Sequence, residues 1–226
     1  MAHDWKIPQR EYARQEARRG RRHAFETLDP ASTALVVVDM VPFFVEASDH
    51  CRDAVAPINR LAEGLRGAGG VVAWVLPSSE EPFPDLKVEF FGPDIAQAYA
   101  ASGGAGPLPG RVSSHLATQA GDVFVEKTAA SAFFPGRCDL PEMLRTRGVS
   151  TVVIAGTVTN VCCESSARDA STLGFRVIMA ADAMSAPTDE MHNATLTTIY
   201  RTFGDVRGSD EILGLIEAAR DPGRQP

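Results

Sequence analysis

The chain has 226 residues, 44% of them hydrophobic and 23% charged, with a formal net charge of −7. That length supports one sizeable core, and an acidic globule does not suit general nucleic-acid binding. No low-complexity tract and no apolar run of the ~20 residues that cross a membrane occurs, so no membrane partner is expected.

In chain order, residues 1–28 come first and stand apart. They carry Arg10, Arg14, Arg18, Arg19, Arg21 and Arg22 and no strand alternation. They read as a basic arm or solvated helix lying on the domain or on a second subunit. A second reading is guidance of an anionic substrate. The segment has no apolar signal-peptide core, so a cytoplasmic location is expected. The run TALVVVDM (33–40) follows and reads as a buried strand. CRDAVAPINRLAEGLRGAG (51–69) spaces Val55, Ile58, Leu61 and Leu65 at helical intervals and ends in glycine. GVVAWVL (70–76) is a second strand. Residues 77–111 are rich in Pro and Gly and read as a long excursion with short helices, of the kind that lines sites. Strands follow at DVFVEK (122–127), STVVIAG (150–156) and FRVIMAADA (175–183). Helices are expected at 140–148, 161–174, 191–204 and 209–221, the last with Ser209 as its N-cap. Near-continuous apolar strands alternating with helices predict a three-layer α/β/α domain over 29–226. Its central sheet is mostly parallel and doubly wound.

The four cysteines are Cys51, Cys138, Cys162 and Cys163. None forms a CxxC pair, which argues against a zinc knuckle, and all four are expected as reduced thiols. Cys51 and Cys138 read as small buried hydrophobes.

In open parallel sheets, ligands bind beyond the carboxyl ends of the strands. The first strand delivers Asp39 there, DVFVEK delivers Lys127, and STVVIAG leads through TVTN to Cys162. Each alone has an ordinary reading, as a turn former, a strand-end lysine or a buried thiol. Together they are a carboxylate, an ammonium and a thiol at three strand ends. A thiol attacks a carbonyl as its thiolate. A nearby lysine, a helix N-terminus and a carboxylate acting as base would each promote that form. None of His3, His23, His50, His115 and His192 directly follows a strand, so a Cys–His pairing is the weaker mechanism.

The ordered set VVVDM, VEKTAASAF, IAGTVTNVCCESSARDA and VIMAADA resembles the isochorismatase-like cysteine hydrolase superfamily, over roughly residues 30–206. That group includes nicotinamidases, N-carbamoylsarcosine amidases and ureidoacrylate amidohydrolases. The resemblance implies a catalytic triad of Asp39, Lys127 and Cys162, and selects Cys162 over Cys163. It also implies a cis peptide between Thr157 and Val158, an oxyanion hole from the amides of Val158 and Cys162, and a homo-oligomer, either dimer or tetramer. Nicotinamidases bind a metal through histidines after the second strand. Here that stretch reads PSSEEPFPD, so no metal and no cofactor are expected. Enzymes acting on isochorismate lack the cysteine, so Cys162 argues against ether cleavage. MVPFF stands where many relatives have Gln-Asn-Asp-Phe, with Phe44 at the aromatic position.

The expected activity is hydrolysis of a C–N bond in a small amide, carbamoyl or ureido substrate through a thioester. The alternatives are vinyl ether hydrolysis and a non-catalytic binding protein on the same fold. Phe44, Trp74, Phe133 and Phe134 are the candidate pocket walls. Cys163 reads as a packed neighbour, and Arg168 and Asp169 as structural ion-pairing residues.

Overall fold

The structure is a computed structural model and describes residues 2–80 and 82–220. The apolar runs form a parallel sheet in the order β3-β2-β1-β4-β5-β6 among the described residues. Its strands are β1 (Thr33–Val38), β2 (Val71–Pro77), β3 (Val123–Lys127), β4 (Thr151–Thr157), β5 (Arg176–Ser185) and β6 (Asp205–Arg207). All the β-branched side chains of β1 are buried, because both faces of the sheet are covered.

One face packs Val36, Val75 and Ile154 against α6 (Leu140–Arg145), α7 (Glu164–Thr172) and α8 (Asp189–Thr202). The other packs Leu35, Val37 and Trp74 against α3 (Asp49–Gly67) and α9 (Ser209–Arg220). This is the expected α/β/α sandwich. The basic segment holds α1 (Gln9–Arg19), which lies on α8. Tyr12 meets Tyr200 edge-on at 5.2 Å, and Gln15 Nε2 donates to the Arg201 carbonyl at 3.1 Å. Near the first strand, α2 (Pro42–Ala47) follows β1 directly. The excursion carries α4 (Pro84–Phe91) and α5 (Pro93–Ala101).

Ser209 is not an N-cap. It is the first residue of α9, and its N–H and hydroxyl both donate to Asp182, at 2.7 and 2.5 Å. Glu211 reaches back instead to the Gly208 N–H at 3.0 Å.

The chain runs outward from β1 through β2 to β3, then returns to lay β4 on the other side of β1. The crevice between β1 and β4 is therefore the switch point where ligands bind. Gly156 makes the close approach there possible. Its φ is +110°, and a Cβ would lie 2.2 Å from the Val38 carbonyl oxygen.

Candidate active site

Asp39 is the residue after β1, and its backbone is left-handed at φ 56°. A non-glycine residue holds that conformation only when its surroundings enforce it. Here the Asp39 N–H bonds the Val75 carbonyl at 2.8 Å, tying it to β2. The carboxylate is thereby aimed into the crevice. Lys127 ends β3, and its Nζ lies 2.9 Å from Asp39 Oδ2, with both side chains buried. The same Nζ lies 3.1 Å from the Ala129 carbonyl and 3.5 Å from Cys162 Sγ. Asp39 Oδ1 is buried and makes no hydrogen bond to protein. One carboxylate oxygen is thus held by the lysine and the other is left for a reacting group.

Cys162 sits on a π-helical turn, Thr159–Cys163, that joins β4 to α7. The Thr157–Val158 peptide before it is cis. Cys163 is fully buried in the core, with its Sγ 3.9 Å from the Ala155 carbonyl. The two adjacent thiols therefore differ in exposure, and Cys162 alone of the pair reaches the cleft. Glu164, just after the turn, pairs with Arg168 at 2.6 Å, which places Arg168 in a helix-surface ion pair.

The electrostatics differ from the sequence expectation of a thiol made acidic by its lysine. Burial, then the Asp39 charge, push the Cys162 thiol up to about 12, against the pull of Lys127. Burial works against the Lys127 ammonium, but Asp39 and Cys162 outweigh it and hold its pKa above the ordinary value. The resting site is an Asp39–Lys127 ion pair beside a protonated thiol. Burial also raises Cys163 well above the ordinary value.

These groups lie at the base of a cleft of about 300 Å³. Val158 and Val161 wall one side, and Phe44 from α2 walls another. The outer wall is the excursion, through Lys87, Phe91 and Tyr99. Arg111 pins the base of that excursion. It donates to the carbonyls of Gly103 and Pro77 at 2.6 and 2.7 Å and to Glu126 at 2.8 Å.

Three of the four expected wall residues are elsewhere. Trp74 is buried on the α3 face, its indole N–H donating to Asp122 Oδ2 at 2.7 Å. Phe133 is buried against Phe175 on the opposite face. Phe134 is exposed but does not line the cleft. None of the arm's arginines lines the cleft either.

Sequence reasoning also missed His192. It is buried, and its Nδ1 lies 2.9 Å from Thr159 Oγ1 on the Cys162 turn. Burial, then the neighbouring His3, hold its pKa down to about 3, so it is neutral.

Comparison with known proteins follows the same outline. The Isochorismatase domain family matches residues 33–211. An uncharacterised isochorismatase family protein of Bacillus subtilis, YwoC, is 33% identical over 82% of this chain and 95% of its own length. The ureidoacrylate amidohydrolase RutB of Agrobacterium fabrum is 28% identical over 85% of this chain and 93% of its own. The crystal structure of a cysteine hydrolase from Pseudomonas syringae pv. phaseolicola superposes with a TM-score of 0.74 at 31% identity. It covers 87% of this chain and 98% of that one. The chain belongs to the isochorismatase family of hydrolases.

Proposed function

We propose that this protein is a cysteine-dependent amidohydrolase that cleaves the C–N bond of a small amide, carbamoyl or ureido substrate through a thioester. The observation that carries the reading is the meeting of Asp39, Lys127 and Cys162 at the base of one cleft, at 2.9 and 3.5 Å. Ureidoacrylate, nicotinamide and maleamate amidohydrolases among the relatives support the bond class.

Because the thiol is held protonated, the thiolate forms as attack proceeds rather than beforehand. Asp39 Oδ1 takes the thiol proton while Cys162 Sγ bonds to the carbonyl carbon. Lys127 balances the charge shared between sulfur and carboxylate. The backbone amides of Val158 and Cys162, at the cleft wall, take the oxyanion. Asp39 returns its proton to the departing nitrogen as the C–N bond breaks. A water then gives a proton to Asp39 and adds its oxygen to the thioester. The C–S bond breaks, the acid leaves, and the proton returns to sulfur.

A homo-oligomer belongs to the same proposal. Helix α4 buries no side chain, and Phe90 on it is 78% exposed. Leu86, Val88 and Ile95 on α4 and α5 are exposed as well, an apolar surface of the kind that marks contact between proteins. A second copy seated there would close the outer wall of the cleft.

The test is an ammonia-release screen over ureido acids, carbamoyl amino acids, nicotinamide and small aliphatic amides. Cys162→Ala is expected to abolish release from any substrate found, and Cys163→Ala to keep most of it. Equal loss in both variants overturns the assignment.

A further inference from the structure

The matched family domain begins at residue 33, yet His3, well before it, packs on His192, which bonds the Cys162 turn. His3 is buried. Its ring stacks between those of His50 and His192, with centroids at 3.9 and 4.3 Å and planes 14° and 13° apart. His3 Nδ1 bonds Asp189 Oδ1 at 2.5 Å, and Nε2 accepts the Ala186 N–H at 3.0 Å. Both ring nitrogens are thus committed. Ligand atoms of His3, His50 and Asp189 come within 4.8 Å of one another. The Ala186 N–H takes the Nε2 lone pair and puts the His3 proton on Nδ1, so neither nitrogen keeps a free lone pair in this arrangement. The stack is therefore a packing device and not a metal site.

What it packs is α8. That helix grips the Cys162 turn on both sides. His192 bonds Thr159, three residues before the thiol, and Thr195 Oγ1 donates to Glu164 Oε2 at 2.6 Å, two residues after it. The arm in turn grips the first turns of α8. The Lys6 N–H donates to Asn193 Oδ1 at 2.7 Å, and Asn193 Nδ2 donates to the Asp4 carbonyl at 3.0 Å.

We propose that His3 is a positioning residue for the nucleophile: by filling the slot between His50 and His192 it holds His192 against Thr159, and so fixes the turn that aims Cys162 at Asp39 and Lys127. This rests on the reading of Cys162 as the nucleophile. The arm is then a strap on the active site rather than a basic tail. The strap needs a neutral His3. Protonation at Nε2 would set an N–H against the Ala186 N–H and place a cation between two imidazoles. The groups facing His3 are His50 from α3 and His192 and Asp189 from α8, with Asp4 next to it on the arm. Burial foremost holds His3 below its ordinary pKa, which keeps the strap closed at neutral pH.

The experiment is alkylation of the full chain with iodoacetamide at neutral pH, read site by site by peptide mass spectrometry. Cys51, Cys138 and Cys163 are the internal references. His3→Ala is expected to speed Cys162 alkylation by about fivefold or more, since a released turn lifts the burial and the Asp39 proximity that hold the thiol protonated. His3→Phe keeps a stacked plane and is expected to stay within about twofold of the parent. A His3→Ala rate equal to the parent's, or Ala and Phe variants equally fast, overturns the proposal. The unaltered chain gives a second test that does not depend on a variant folding. As pH falls through the His3 pKa, which burial sets below the ordinary value, its rate is expected to fall by less than tenfold per pH unit, and the His3→Phe rate by tenfold. A single tenfold slope in the unaltered chain overturns the proposal. If Cys162→Ala keeps the activity found in the ammonia-release screen, the nucleophile reading itself fails, which is a separate result.

Discussion

Asp39 Oδ2 and Lys127 Nζ lie 2.9 Å apart with both side chains almost wholly removed from solvent. A buried pair of this kind contributes little net stability as a pair, but either half alone is an uncompensated buried charge. Lys127→Met is therefore expected to destabilise the fold by about 3–5 kcal/mol, besides removing activity. Asp39→Asn strands the ammonium in the same way. The double variant Asp39→Asn with Lys127→Met should lose less than the sum of the two. Urea unfolding of the four proteins measures this, and additive losses would contradict the coupling.

The state of the Cys162 thiol predicts a pH profile. Its pKa is pushed up to about 12 by burial and by Asp39, so the thiolate is a minor species at neutrality. Its fraction grows tenfold per pH unit. The rate of Cys162 alkylation by iodoacetamide is expected to climb with that slope from about pH 7 to pH 9 without a plateau. A plateau near pH 7 would mean a preformed thiolate.

Stability should also depend on pH through His192. The folded state keeps this ring neutral, with its pKa near 3, while the unfolded chain binds a proton near the ordinary 6.5. The unfolded state thus takes up more protons as pH falls, and stability present above about 6.5 is lost progressively below it. His3, shifted in the same direction, adds to the effect. Between pH 7.5 and pH 5 the His192 contribution alone is about 2 kcal/mol. Urea midpoints at the two pH values check this, and His192→Gln should flatten the difference.

The exposed face of α4 predicts assembly. Light scattering is expected to return a mass above that of one chain. Leu86→Asp combined with Phe90→Asp should return a single chain with an unchanged circular dichroism spectrum, since neither side chain is buried.

The meeting of Asp39, Lys127 and Cys162 was legible in the sequence because each ends or follows an apolar run, and parallel strands bring their carboxyl ends to one edge. The cleft wall was not. Trp74 lies in a continuously apolar strand, so nothing in the pattern told which face it takes, and its indole turns to Asp122 on the α3 side. Phe133 and Phe134 are neighbours in a loop, where one residue decides between core and solvent. Phe91 and Tyr99, which do line the cleft, sit in an excursion with no usable period. β6 was missed because three residues carry no pattern. His192 was missed because its partner Thr159 is distant in sequence and its neighbour His3 lies in the arm.

The cleft divides between two kinds of ground. The side that reacts is made from strand ends, where any change also disturbs the core. The side that faces the substrate's far end is made from α4 and α5, and α4 has no residue in any core. Changes in the first destabilise the fold, whereas Phe91 is exposed and α4 buries no side chain. On the proposed reading, change of substrate falls to α4 and α5, which can be rewritten without touching the strand ends.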